Sequence, residues 1–178
     1  VVEIDISKGK VTQKIFVAGA EFLNDLAIGP QGEIYVSDNT QSAIYIVRIG
    51  RPSEVFIQSP SLENPNGLLV DGKQLIVASW GYTEEPAGRL LSVDLKTKKI
   101  KKLTSKPVGN LDGVEKEKEG SYLVSDWVAG KVFRIGKNGT VEEILSGFNH
   151  AADIGYIADD KILIVPQMGE NLVTAYKL

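Results

Sequence analysis

Asn64-Pro65-Asn66-Gly67-Leu68-Leu69-Val70-Asp71-Gly72-Lys73-Gln74-Leu75-Ile76-Val77-Ala78-Ser79-Trp80 decides how the rest of the chain is read. It opens on a concentrated turn signal, Asn-Pro-Asn-Gly, and continues into a short apolar run from Gly67 to Val70. Asp71-Gly72 is a hairpin turn, and Leu75 to Ala78 is a second apolar run. The layout is loop, strand, tight turn, strand.

Three other segments share that layout. Asn24-Asp25-Leu26-Ala27-Ile28, Asp112-Gly113-Val114-Glu115-Lys116 and, in degraded form, Ala152-Asp153-Ile154-Gly155-Tyr156 align with Asn66-Gly67-Leu68-Leu69-Val70. The starts are 42, 46 and 40 residues apart, and each is followed 13 or 14 residues later by the end of a second strand, at Asp38, Ser79, Asp126 and Pro166. No window has a helical period. The remaining β-branched and aromatic runs add two further strands to each full unit: Ala43 to Val47 and Glu54 to Ile57, Arg89 to Asp94 and Lys99 to Leu103, then Lys131 to Ile135 and Val141 to Leu145. Four antiparallel strands every ~40 to 45 residues is the signature of β-propeller blades. The expected fold is all-β, a propeller of four-stranded antiparallel blades, with about four blades present and a single domain over residues 1–178.

At the ends, Val1 to Ile6 and Val11 to Val17 read as the third and fourth strands of a blade, and the tail supplies three strands ending at Asn171 to Leu178. Seventeen strands do not close a ring of four blades. A ring of six lacks seven strands and a ring of five lacks three, so upstream sequence of roughly 30 to 75 residues, the missing N-terminal blades of the same protein, is expected.

Composition narrows the function. At 178 residues, 43% hydrophobic and 24% charged, the chain supports one sizeable core. A net charge of -3 with scattered signs makes no field for nucleic acid, and the lysines from Lys96 to Lys102 read as a solvated strand edge. With no cysteine, disulfides, thiolate metal sites and a cysteine nucleophile are excluded. No apolar run approaches ~20 residues, so no membrane span is expected. The chain reads as soluble, with cytoplasmic and periplasmic or secreted placements both open. Serine-hydrolase, P-loop and dinucleotide signatures are missing from the sequence.

The aligned starts carry the candidate chemistry. Strand one is innermost in a blade, so Asn24, Asn66 and Asp112 are expected to converge on the central channel, with Ala152 in the fourth place. Amide and carboxylate oxygens suit a hard divalent cation such as calcium, which takes ~6 to 8 oxygen ligands. One carboxylate is little charge for tight binding, and a further acid is expected. The same residues also cap turns and bond neighbouring amides, so a purely structural role is the competing reading.

The loops joining strands two and three share a face with those starts. Trp80 and Trp127 fall there at nearly equivalent positions, where they could line a pocket for a small ring-shaped ligand or pack one blade on the next. Trp80 to Gly88 is the longest of these loops, and its Glu84 and Glu85 face either ligand or solvent. His150, the only histidine, lies near the channel mouth as a proton shuttle, a further ligand or a hydrogen-bonded turn residue. Asp38 and Asp126 read as loop-stabilising side chains.

Leu23-Asn24-Asp25-Leu26-Ala27-Ile28-Gly29-Pro30-Gln31-Gly32, the Asn64-Pro65-Asn66-Gly67-Leu68 stretch, Leu111-Asp112-Gly113-Val114 and the following Tyr122-Leu123-Val124-Ser125-Asp126-Trp127 resemble the repeated motifs of the regucalcin (senescence marker protein)/gluconolactonase family. That resemblance implies a six-bladed, calcium-dependent lactonase acting on a small-molecule substrate. It implies Asn66 and Asp112 as metal ligands, Asp112 also as general base, Asn24 as a substrate-binding amide beside the metal, and a glutamate ligand from upstream sequence. Where the family's lactonases carry an arginine that meets sugar hydroxyls, this chain has Phe22. A non-catalytic propeller that binds a metabolite or a protein through the same face is the alternative.

Overall fold

The computed structural model describes residues 1–82, 87–117 and 120–178. Among them are seventeen strands in five antiparallel sheets, arranged as successive propeller blades. A hairpin of β1 (Val2–Asp5) and β2 (Lys10–Lys14) precedes three full blades. The first is β3 (Leu23–Ile28), β4 (Ile34–Asp38), β5 (Ala43–Val47) and β6 (Glu54–Gln58). The second is β7 (Pro65–Asp71), β8 (Gln74–Ser79), β9 (Leu90–Asp94) and β10 (Ile100–Lys102), and the third is β11 (Leu111–Lys116), β12 (Tyr122–Asp126), β13 (Lys131–Ile135) and β14 (Val141–Ser146). The last sheet has three strands, β15 (Gly155–Ile157), β16 (Ile162–Gln167) and β17 (Leu172–Lys177). Every sheet is a meander in chain order, as the short turns between runs require.

Strands in the middle of a blade read as unbroken apolar runs because both of their faces are covered. Side chains alternate across a strand. Leu75 and Val77 of β8 therefore pack back against Ile44, Ile46 and Phe56, whereas Ile76 and Ala78 pack forward against Leu111, Val114 and Val124. In β5, Ala43, Tyr45 and Val47 face the N-terminal hairpin and Ile44 and Ile46 face the second blade. Leu123 and Val132 repeat the pattern against Ile154, Leu163 and Val165. The core is thus a series of layers between blades. The outermost strands carry Glu54, Lys101, Lys102, Glu142 and Glu143 on their exposed positions, which discourages pairing with another sheet edge.

In the three full blades the innermost strand begins two residues earlier than its apolar run suggests, because its register shifts between Leu23 and Leu26, Pro65 and Leu68, and Leu111 and Val114. Asn24, Asn66 and Asp112 therefore sit in bulges inside β3, β7 and β11 rather than in the preceding loops. Bulges re-aim side chains and recur next to functional sites. Two of them are clamped by a buried serine. Ser125 Oγ accepts from Gly113 N (2.8 Å) and donates to the Ala152 carbonyl of the next blade (2.8 Å). Ser37 Oγ accepts from Asp25 N (3.0 Å) and donates to the Asn66 carbonyl (2.7 Å).

Ser125→Ala should leave a buried N–H and a buried carbonyl unpaired on two blades. We expect a loss of about 1–3 kcal/mol in chemical denaturation of the intact protein. Ser7→Ala, at an exposed turn, should stay within ~0.5 kcal/mol, and equal effects of the two would count against the clamp.

Candidate functional site

The upper face of the propeller, where the first strand of each blade begins, is stitched by one hydrogen bond repeated in the three full blades and in the last sheet. Asn39 N donates to Phe22 O, Trp80 N to Asn64 O, Trp127 N to Asn110 O and Met168 N to His150 O, at 2.8 to 3.1 Å. This bond holds the loop after the second strand against the residue two places before the aligned start. It also fixes where the aromatic residues project.

Trp80, Trp127 and His150 come from three different loops and form one row. The two indoles are 5.8 Å apart between centroids at 51°, and the His150 imidazole stacks on Trp127 at 3.8 Å and 20°. All three rings remain partly open to solvent. His150 has φ of 59°, a left-handed turn conformation that aims its ring along the row. Glu84 and Glu85, and with them the tip of the loop from Trp80 to Gly88, lie outside the described residues.

Nearer the axis, Asn66 and Asp112 occupy neighbouring innermost strands that approach closely. A Cβ on Gly67 would overlap the Asp112 carbonyl oxygen, and one on Gly113 would overlap Ile154 N. Asn66 is buried, at 3% exposure, and its Oδ1 has no hydrogen-bond partner among the described residues. A buried polar oxygen without a partner is costly, and such groups are rare in folded proteins. Asp112 is half-buried. Burial, followed by the charges of Asp153 and Asp25, pushes its carboxyl up to about 7. Asn24 is exposed at the bulge of β3.

The channel below is more acidic than the aligned starts suggest. A cavity of about 280 Å³ runs between the innermost strands and is lined by Asp25, Glu115 and Asp153 together with apolar side chains. Asp25 Oδ2 accepts from Leu68 N (2.6 Å), which ties the first blade to the second. Its carboxyl is pushed up to about 6, by burial first and by Asp153 next, against the downward pull of its backbone hydrogen bonds. Glu115 is raised by burial and by Asp153, and Asp153 by burial. The signal for Asp25 and Asp153 was present in the repeat: they occupy the same aligned position, where the other two blades have Gly67 and Gly113. Glu115 had no such signal.

These residues offer hard oxygen donors only. Among the described residues no three acidic, histidine or cysteine side chains gather closely enough to hold a metal ion. The unpartnered Asn66 Oδ1 and, when ionised, the Asp112 carboxylate are oxygen donors of the kind a hard cation takes. Asp38 and Asp126 serve the loops, as expected. Asp38 accepts from Glu21 N, Phe22 N and Gln41 N, and Asp126 accepts from Ala129 N.

No protein-family model matches the sequence, and no curated protein matches it. Solved structures do match in shape. A chain in the crystal structure of a nidogen/laminin complex superposes with a TM-score of 0.84 at 16% identity, over 99% of this chain and 67% of that one. A gluconolactonase of Xanthomonas campestris gives 0.72 at 17% identity, over 92% of this chain and 61% of its own. Virginiamycin B lyase from Staphylococcus aureus, solved with quinupristin, gives 0.65 at 12% identity, over 95% and 60%. The chain thus spans about three fifths to two thirds of the length of these proteins. At such identities the likeness speaks to the propeller fold. No helix among the described residues is long and apolar enough to cross a membrane.

Proposed function

We propose that the protein is a divalent-cation-dependent hydrolase of a lactone or similar small ester, acting at the upper mouth of the propeller channel. The observation that carries this reading is the buried Asn66 Oδ1 without a partner, placed one strand away from a carboxylate held near neutrality by burial. Asn66 Oδ1 and the Asp112 carboxylate would hold the cation, calcium being the ion best suited to amide and carboxylate oxygens. When bound, the cation polarises the ester carbonyl and acidifies water.

Asp112 accepts a proton from the attacking water as general base. The new bond forms between the water oxygen and the carbonyl carbon, the ring C–O bond breaks, and the proton ends on the leaving alkoxide, giving a hydroxy acid. Asn24 presents an exposed amide beside the site, and Trp80, Trp127 and His150 wall it. The likeness in fold to a gluconolactonase agrees with this reading.

The test is hydrolysis of a lactone panel by the intact protein with calcium, with other divalent cations and with chelator. We expect turnover that chelation removes and calcium restores, and a calcium-dependent rise in melting temperature. Absence of hydrolysis across the panel with every cation would overturn the proposal. It would favour the second reading, a non-catalytic propeller that binds a metabolite or a protein partner. Phe22 favours that reading, because it stands exposed where a sugar-binding arginine is expected.

A further inference from the structure

We infer that this upper face recognises an uncharged ligand carrying an aryl or extended alkyl group, so that the lactone or ester handled here is an apolar-substituted one rather than a polyhydroxylated sugar ring. The bond cleaved rests on the hydrolase reading above, whereas recognition of the apolar group stands on separate observations.

The first observation is what the polar side chains of this face are already doing. A sugar needs several fixed donors and acceptors aimed at its hydroxyls, and sites built that way reject ligands that lack them. Here three loop amides, those of Asn39, Asn64 and Asn110, are committed to the loops themselves, which leaves Asn24 and Asn66 as the amides open to a ligand. Asn64 Oδ1 accepts from Ser42 Oγ (2.9 Å) and its Nδ2 donates to Gly81 O (3.0 Å). Asn110 Nδ2 donates to Trp80 O (3.1 Å), and Asn39 Nδ2 donates to Asn64 O (3.3 Å). The carboxylates of Asp38 and Asp126 are occupied by backbone N–H groups.

The second observation is what remains turned outward. Phe22, Val128 and Met168 are exposed on loops of this face: Val128 follows Trp127, Met168 N donates to His150 O, and Phe22 lies on the loop that enters the first full blade. Phe22 shares the aligned position of Asn64, Asn110 and His150, two residues before each start, so it belongs to the same ring of positions about the channel mouth. Exposed apolar side chains scattered singly need no explanation. Several on one end of a propeller, beside a stacked aromatic row, form a surface that gains from covering apolar area and offers little to hydroxyl groups.

The chain's only two tryptophans, Trp80 and Trp127, are both in this row, so the indole emission of this chain reports on the proposed surface. The experiment uses the intact protein, saturated with calcium, and two kinds of probe. The first pair is an aryl-substituted five-membered lactone against glucono-lactone, compared by kcat/KM. The second is the lactam analogue of the aryl lactone, which is not hydrolysed, titrated by tryptophan fluorescence. We expect kcat/KM for the aryl lactone to exceed that for glucono-lactone by roughly 10- to 100-fold, and the lactam to quench emission to saturation.

Trp127→Ala should raise KM for the aryl lactone roughly 10-fold with a much smaller change in kcat, and Trp127→Phe should restore most of the loss. The phenylalanine variant keeps the surface testable if the alanine variant fails to fold. Preference for glucono-lactone, or no quenching by the lactam, would overturn this inference and leave the hydrolase reading intact. Saturable quenching, weakened in Trp127→Ala and without turnover of either lactone, would support the apolar surface and overturn the hydrolase reading.

Discussion

Asp112→Asn is expected to abolish cation-dependent hydrolysis while making the cation-free protein more stable above pH 7. The two effects have one cause. Burial first, and then the charges of Asp153 and Asp25, raise the Asp112 carboxyl from its ordinary value of 3.8 to about 7. A carboxyl whose pKa is raised on folding binds its proton more tightly in the folded chain than in the unfolded one. Between about pH 4 and pH 7 the folded state therefore holds more protons, and stability falls as pH rises through that window. Above it the cost is fully present, about 1–3 kcal/mol once channel water has screened the charges. Asparagine removes the charge and keeps the shape, so thermal melts without cation should show the variant gaining at pH 8 and matching the native protein near pH 4. Calcium should reverse the order at pH 8. The native protein gains about 4.1 kcal/mol at a thousandfold excess over Kd, and the variant, having lost the charge that draws the ion, gains little. Turnover should fall roughly 10²–10⁴-fold, the range for loss of a general base. A variant that retains turnover and calcium affinity would remove Asp112 from the site.

The propeller was legible because its physics is local and repeated. Both faces of β4, β5, β8 and β12 are covered by neighbouring blades, so these strands read as continuous apolar runs between turns at a fixed spacing. The inner strand limits were less legible. Leu23, Pro65 and Leu111 open their strands only because a bulge re-establishes pairing beyond the aligned start, and β10 stops at Lys102 where propensity extends to Leu103. Register put Asn66 and Asp112 at equivalent places on neighbouring innermost strands, and the equivalent loop positions of Trp80 and Trp127 put both on one face; that the two rings lie 5.8 Å apart was not legible. Mutual repulsion among Asp25, Asp112, Glu115 and Asp153 had no counterpart in local pattern, since Asp25 and Asp153 meet only through the curvature of the ring. Equally illegible was the isolation of Asn66 Oδ1, which depends on what surrounds it in space.

Gly67→Ala should be among the most damaging single substitutions in the chain, and for a reason different from most glycine replacements. Gly72, in the turn after β7, has φ of 61° with open space around it. Alanine there costs about 1 kcal/mol in backbone strain and touches nothing. Gly67 is the opposite case. Its φ lies outside the left-handed region, but an added Cβ would overlap the carbonyl oxygen of Asp112 on the adjoining innermost strand. That obstacle is backbone, held on β11 by pairing with β12 and, at Gly113, by the Ser125 clamp, so no flexible side chain can swing aside. Relief requires β7 to move away from β11 at the bulges that present Asn66 and Asp112. We expect a loss of about 3 kcal/mol or more, the top of the usual range for overpacking in a filled core. The same displacement separates the two oxygens proposed to share a cation. Denaturant unfolding of the intact protein should therefore show a lowered midpoint, and a calcium titration of the surviving fold should show weakened binding. Gly72→Ala, measured alongside, should leave the affinity unchanged. An unchanged midpoint and affinity in Gly67→Ala would mean that the two strands do not approach as closely as the site requires.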